Sequence, residues 1–162
     1  MKKIVAGVDE VGRGSLIGPV YAAAVILNPK INKKEIKDSK KLKKIEREKL
    51  SRYIKKNSIW AIGSASIREI DRLNILNASL LAMKRAIKKL KVKPNLVLVD
   101  GNKSPDLNNY ITKTIIKGDQ KIKEISAASI VAKVSRDKMI LKMSESNKKY
   151  KWDVNAGYGT KG

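Results

Sequence analysis

Residues Ile4–Leu27 read IVAGVDEVGRGSLIGPVYAAAVIL, and this stretch decides the fold. Two apolar runs, Ile4–Val8 and Val20–Leu27, flank a glycine-rich turn holding Gly12, Gly14, Gly18 and Pro19. Their apolarity is continuous rather than alternating, which predicts strands covered on both faces. Asp9 and Glu10 stand where the first run ends and the turn begins.

Working outward, Ser58–Ile67 reads as a third strand. Leu96–Val99, entered through Pro94, reads as a fourth, and Ile111–Ile116 as a fifth. Helices fill the intervals. Asp38 or Ser39 can cap one that runs to about Lys56, with Leu42, Ile45, Tyr53 and Ile54 on one face. Leu73, Leu76, Leu80, Met83, Ile87 and Leu90 recur at helical spacing, and Lys88, Lys89 and Lys91 complement the dipole at that helix's end. A third helix spans roughly Ile122–Ser144. There is no internal repeat or low-complexity linker, so residues 1–162 are expected to form one α/β layer sandwich.

Composition restricts the chemistry. The chain has no Cys and no His, which removes thiolates and imidazoles as ligands or bases. Any metal must take oxygen donors, and these suit Mg²⁺ or Mn²⁺. No apolar run nears the roughly 20 residues a bilayer span needs, and no signal peptide is evident. The expectation is a cytoplasmic protein with no membrane association. The net charge of +22 implies a polyanionic partner, nucleic acid above all. The same lysines also suit a solvated surface in a chain rich in Lys, Ile and Asn.

Most of the fifteen acidic residues lie among lysines on helices. Four do not. Asp9 and Glu10 end the first strand, Asp100 ends Leu96–Val99, and Asp119 follows Ile115-Ile116-Lys117-Gly118. Strand ends of this kind are where α/β sheets bind ligands. Converging carboxylates repel unless cations neutralise them, and two divalent ions could activate a water and stabilise a leaving oxygen in phosphodiester hydrolysis. Taken singly, each acid also suits a helix cap or a turn. Neighbouring residues of a regular strand face opposite ways. Either the strand breaks or bulges near Gly12, or Asp9 and Glu10 contribute differently.

Val8-Asp9-Glu10-Val11-Gly12-Arg13-Gly14 with Gly18-Pro19-Val20 resembles the opening signature of type 2 ribonucleases H, the ribonuclease HII family. Asp38-Ser39-Lys40-Lys41-Leu42, Leu73-Asn74-Ile75-Leu76, Asp100-Gly101-Asn102, Lys117-Gly118-Asp119, the run from Ser126 to Asp137, and Gly157-Tyr158-Gly159-Thr160 resemble its further motifs in order.

The resemblance implies a ribonuclease H-like fold, a five-stranded mixed sheet flanked by helices. Asp9, Glu10, Asp100 and Asp119 would then hold two Mn²⁺ or Mg²⁺ ions. Gly12-Arg13-Gly14 would read a ribose 2′-hydroxyl through backbone groups, and Tyr158 would pack on the deoxyribose that follows. The implied activity is hydrolysis of the RNA strand of RNA–DNA hybrids, with incision 5′ of ribonucleotides embedded in DNA to leave a 5′-phosphate. That activity would serve ribonucleotide and RNA primer removal, by a monomer. Type 3 relatives normally carry an extra N-terminal domain, and the signature here begins at residue 4, so type 2 is expected.

Ser126, Ser129 and Lys133, with Asp137, form one stripe on an otherwise apolar helix. They are candidates for phosphate contact, as are Lys40 and Lys41, although a solvated stripe and ordinary surface lysines would look the same. Trp60 and Tyr21 are expected in the core. Family members usually continue past the tyrosine motif with a helical segment and a basic tail, and this sequence stops at Gly162. Two rivals remain: a catalytically impaired binding protein of the same fold, and an unrelated basic RNA-binding protein.

Overall fold

The computed structural model describes residues 3–12 and 18–146. In chain order these form β1 (Val5–Val11), β2 (Val20–Leu27), α1 (Lys44–Lys56), β3 (Ser58–Ala65), α2 (Ile67–Leu73), α3 (Ile75–Lys89), β4 (Leu96–Asp100), β5 (Thr112–Ile115), α4 (Gly118–Lys121) and α5 (Lys123–Ser146). The five strands make one mixed sheet in the order β3-β2-β1-β4-β5. β1 pairs antiparallel with β2 and parallel with β4; β2–β3 is antiparallel and β4–β5 parallel. The expected architecture is therefore the one observed.

Both faces of the sheet are covered, as the continuous apolar runs required. On one face Val8, Val20, Ala22, Ala24, Val97 and Val99 pack against Ala78, Ala82, Met83, Ala86 and Ile87 of α3. On the other, Ala23, Val25 and Leu27 pack against Ile54 of α1 and Ala127, Ala128, Ile130 and Val131 of α5. The three alanines of β2 let helices approach both faces closely. Gly7 goes further, because a Cβ there would lie 2.2 Å from the backbone carbon of Glu124. The first turn of α5 thus rests directly on β1.

Several boundaries differ from the sequence expectation. β1 continues through Asp9 and Glu10, whose Cα partners are Ala23 and Ala22. β3 stops at Ala65 because Ser66 starts a helix: its hydroxyl accepts from the Glu69 N–H while Glu69 accepts from the Ser66 N–H. That reciprocal cap launches α2, which the strand reading of Ile67 missed. Asn74, at φ +73°, separates α2 from α3, so Leu73 and Leu76 belong to different helices.

Asp38 caps only a 3-10 turn, Ser39–Lys41, and α1 begins afresh at Lys44. Ile45 is accordingly 75% exposed rather than on the buried face. Trp60 is also outside the core, 38% exposed on the edge strand with the Lys55 ammonium 4.4 Å from its ring centroid. Among the described residues no helix is long and apolar enough to cross a membrane.

Candidate active site

Three of the four acids converge. One carboxylate oxygen from each of Asp9, Asp100 and Asp119 lies within 4.8 Å of the others. Strand register explains the first two. Val8 pairs with Val99 across the parallel β1–β4 ladder, so Asp9 and Asp100 follow one step further on, at the carboxyl ends of both strands. Val8 and Val99 fill the α3 core. By alternation Asp9 and Asp100 face the α5 side.

Asp119 arrives by a different route from the one expected. β5 is an edge strand with Lys113 and Thr114 exposed, and it ends at Ile115. Lys117 then adopts the left-handed conformation (φ +56°), and Asp119 enters on the short helix α4. It is therefore a helical residue, not the close of a buried strand. Two bonds fix this corner. The Gly118 N–H donates to Asp100 Oδ1 at 2.7 Å, and the Ser126 hydroxyl donates to the Asp119 carbonyl.

The regular strand settles the geometric question about Asp9 and Glu10. There is no bulge at either residue, and backbone distortion begins at Gly12 (φ +108°). Glu10 sits on the opposite face of β1 from Asp9 and stands outside the three-carboxylate cluster. Its backbone N–H does donate to Asp9 Oδ1 at 2.8 Å. The two adjacent acids thus stand in different surroundings.

Electrostatics mark the cluster as short of positive charge. Burial pushes the Asp9 carboxyl well above the ordinary carboxylate range, and Asp100, Glu10 and Asp119 push it further, against the bond from the Glu10 N–H. Asp119 is raised too, first by burial and then by Asp100, with Lys40 opposing. The Lys40 ammonium lies 3.9 Å from Asp119 Oδ2. A donor set of carboxylate oxygens only, crowded and partly buried, is chemically suited to hard divalent cations.

The remaining expected residues divide. Lys40 reaches the cluster, whereas Lys41 is exposed on the same 3-10 turn. Ser126 is 5% exposed and its hydroxyl is used within the protein. The Ser129 hydroxyl lies 3.1 Å from that of Ser39, which ties the Lys40 turn to α5. Lys133 is half-buried further along that stripe. Gly12 borders the acids, while Arg13, Gly14 and Tyr158 lie outside the described residues. Arg136, which entered the sequence reading only as part of the run from Ser126 to Asp137, is 1% exposed beside Gly12. An arginine among Val134, Ile140 and other buried apolar residues of one helix was the signal available.

Comparison with known proteins agrees with this geometry. Residues 6–162 match the Ribonuclease HII family. Ribonuclease HII from Pelagibacter ubique is 72% identical over 159 residues, covering 98% of this chain and 86% of that protein. The crystal structure of ribonuclease H2 from Pyrococcus horikoshii OT3 superposes with a TM-score of 0.78 at 30% identity, covering 96% of this chain and 81% of that one. Bst-RNase HIII in complex with Mn²⁺ superposes at 0.71 and 18% identity, over 89% of this chain and 55% of that one, a likeness of fold alone. With its acids gathered at the carboxyl ends of β1 and β4 and the match running almost end to end, the chain belongs to the ribonuclease HII family, a family of nucleases.

Proposed function

We propose that this chain is a metal-dependent endonuclease that cuts the RNA strand of RNA–DNA hybrids and incises 5′ of ribonucleotides embedded in DNA. The observation that carries the reading is the cluster of Asp9, Asp100 and Asp119 inside a chain of net charge +22. A basic protein that only bound nucleic acid would gain nothing by burying negative charge at its centre.

Asp9, Asp100 and Asp119 would hold two Mn²⁺ or Mg²⁺ ions together with Glu10, the next residue of β1. Bound there, such ions supply a water of lowered pKa and stabilise the departing oxygen. The chain's own groups do the rest. The Gly118 N–H and the Ser126 hydroxyl orient the Asp100 and Asp119 corner. Lys40, tied to α5 through Ser39, offers its ammonium to a phosphate beside Asp119. Lys41, Ser129 and Lys133 would add further contacts to the nucleic-acid backbone. Gly12, Arg13 and Gly14 would read the ribose 2′-hydroxyl, which distinguishes RNA from DNA at one sugar, and Tyr158 would contact the next deoxyribose. The product would carry a 5′-phosphate on the ribonucleotide, as ribonucleotide and primer removal in the cytoplasm would need, and a monomer suffices for this.

The test is incubation with Mn²⁺ or Mg²⁺ and a DNA duplex containing one ribonucleotide. Cleavage 5′ of that residue, lost with EDTA and in Asp9→Asn, is the expected result. Tight binding without cutting in saturating metal would replace this reading with that of a binding protein.

A further inference from the structure

Lys40 is an exposed lysine that the fold holds in one place. Its side chain is 67% exposed, yet its ammonium stands 3.9 Å from Oδ2 of Asp119, whose side chain is 9% exposed. The segment beneath it is pinned to α5 at three points. The Lys33 ammonium lies 3.5 Å from Glu124 Oε2, and the Lys123 ammonium donates to the Ile36 carbonyl at 2.6 Å. The Ser39 hydroxyl lies 3.1 Å from that of Ser129. Ile36 and Ser39 are buried, so the segment is packed as well as bonded. Asp38 accepts the Lys40 N–H at 3.0 Å and closes the turn.

A lysine that merely decorated a basic surface would need none of this. An exposed ion pair usually contributes little, because ordering a long side chain offsets the attraction. Here the pinned backbone carries much of that ordering. The 3.9 Å separation exceeds a hydrogen bond, so Lys40 neutralises Asp119 without being locked to it. Its charge opposes the burial and the Asp100 repulsion that raise the Asp119 carboxyl.

We infer that Lys40 is the resident counter-ion of the acid cluster, displaced from Asp119 when a divalent cation binds there and thereby released to grip a substrate phosphate. Metal binding and nucleic-acid binding are then coupled through one ammonium. This rests on the proposed reading of the acids as metal ligands. Linkage fixes the signs. Lys40 competes with the cation for Asp119, so removing it tightens metal binding. It serves the nucleic acid only once displaced, so removing it shrinks the gain in nucleic-acid affinity that metal brings.

The experiment compares wild type, Lys40→Met and Lys37→Met, Lys37 being another exposed lysine of the same segment. Mn²⁺ affinity is measured by calorimetry without nucleic acid, and folding by thermal melting. Affinity for an all-DNA duplex, which the proposed activity leaves uncut, is measured with and without Mn²⁺. Lys40→Met should bind Mn²⁺ at least about fivefold more tightly, the factor given in water by one unit charge acting on another about 4 Å away. Lys37→Met should stay within about twofold of wild type, its charge being screened. Adding Mn²⁺ should raise duplex affinity about fivefold more in wild type than in Lys40→Met. Unchanged or weaker Mn²⁺ binding in folded Lys40→Met overturns the inference. Equal tightening in Lys37→Met also overturns it, by assigning the effect to the general positive field of the chain. An equal gain on adding Mn²⁺ in wild type and Lys40→Met overturns the release of Lys40 to phosphate. A wild type that binds Mn²⁺ but cuts no ribonucleotide-containing duplex overturns instead the functional reading beneath it, and one that binds no Mn²⁺ overturns both.

Discussion

Asp9 and Asp100 stand side by side on neighbouring parallel strands, one step past the Val8–Val99 pair, and Asp100 is the acid that most raises the Asp9 carboxyl. A carboxylate so placed costs stability when no cation is bound. Asp9→Asn removes the charge and keeps the shape. The variant should melt higher than wild type in EDTA, by about 2–4 °C for each kcal/mol gained. Its Mn²⁺ affinity should fall at least about tenfold, and cutting should be lost. Melting curves with and without Mn²⁺ decide this, and a lower melting temperature in EDTA would contradict it.

The same placement sets the pH dependence of the metal-free chain. Asp9 and Asp119 are raised from 3.8 in the folded state, so the fold holds protons that the unfolded chain has released. Their favourable contribution is complete below 3.8 and is lost as pH rises through the raised values. Glu69, drawn from 4.5 down to about 2 by Arg85, works oppositely, but its window lies below that range. In EDTA the melting temperature should therefore fall as pH rises above the ordinary carboxylate range. Saturating Mn²⁺ should flatten the fall, and Asp9→Asn should weaken it without metal. A slope unchanged in Asp9→Asn would assign it to other groups.

Gly7 and Gly101 separate steric crowding from backbone strain. A Cβ on Gly7 would run into the backbone of Glu124 and Ile125, whereas one on Gly101 meets nothing within 4 Å although φ is +109°. Gly7→Ala has to push the start of α5 off β1, at about 1–3 kcal/mol or more, and moves Ser126 with it. Gly101→Ala costs only the strain of its conformation, about 1–2 kcal/mol. Denaturant titration should rank Gly7→Ala as the more damaging, with a larger loss of activity as well.

The sequence made the sheet and the acids legible because both depend on short-range pattern. Continuous apolar runs specified β1, β2 and β4, and an acid after such a run specified Asp9 and Asp100. Asp119 was found for a partly mistaken reason, since a left-handed Lys117 and a helical turn, not a buried strand, bring it in. Ser66 and Glu69 have the spacing of a capping pair, but the strand reading followed the apolar residues past it to Ile67. Trp60 and Ile45 failed because apolarity says nothing about whether a strand lies at a sheet edge or where a helix starts. The apolar neighbours of Arg136 hinted at its burial, but its partner could not be read, because Pro19 lies more than a hundred residues away.

Ser126 is where a structural role and a substrate role make opposite predictions. By spacing it shared a stripe with Ser129 and Lys133 that could meet phosphates. In the fold it is 5% exposed and its hydroxyl donates to the carbonyl of Asp119. A phosphate donor, once removed, would raise KM and leave the metal site intact. Ser126→Ala instead leaves a buried carbonyl unpaired, at about 1–3 kcal/mol, and frees the turn that presents Asp119. The expected pattern is a lower melting temperature, weaker Mn²⁺ binding and a fall in kcat greater than any rise in KM. Ser126→Thr, which keeps the hydroxyl, should restore Mn²⁺ affinity if the added methyl fits against α4. A pure rise in KM with wild-type metal binding in Ser126→Ala would return this serine to the nucleic-acid surface.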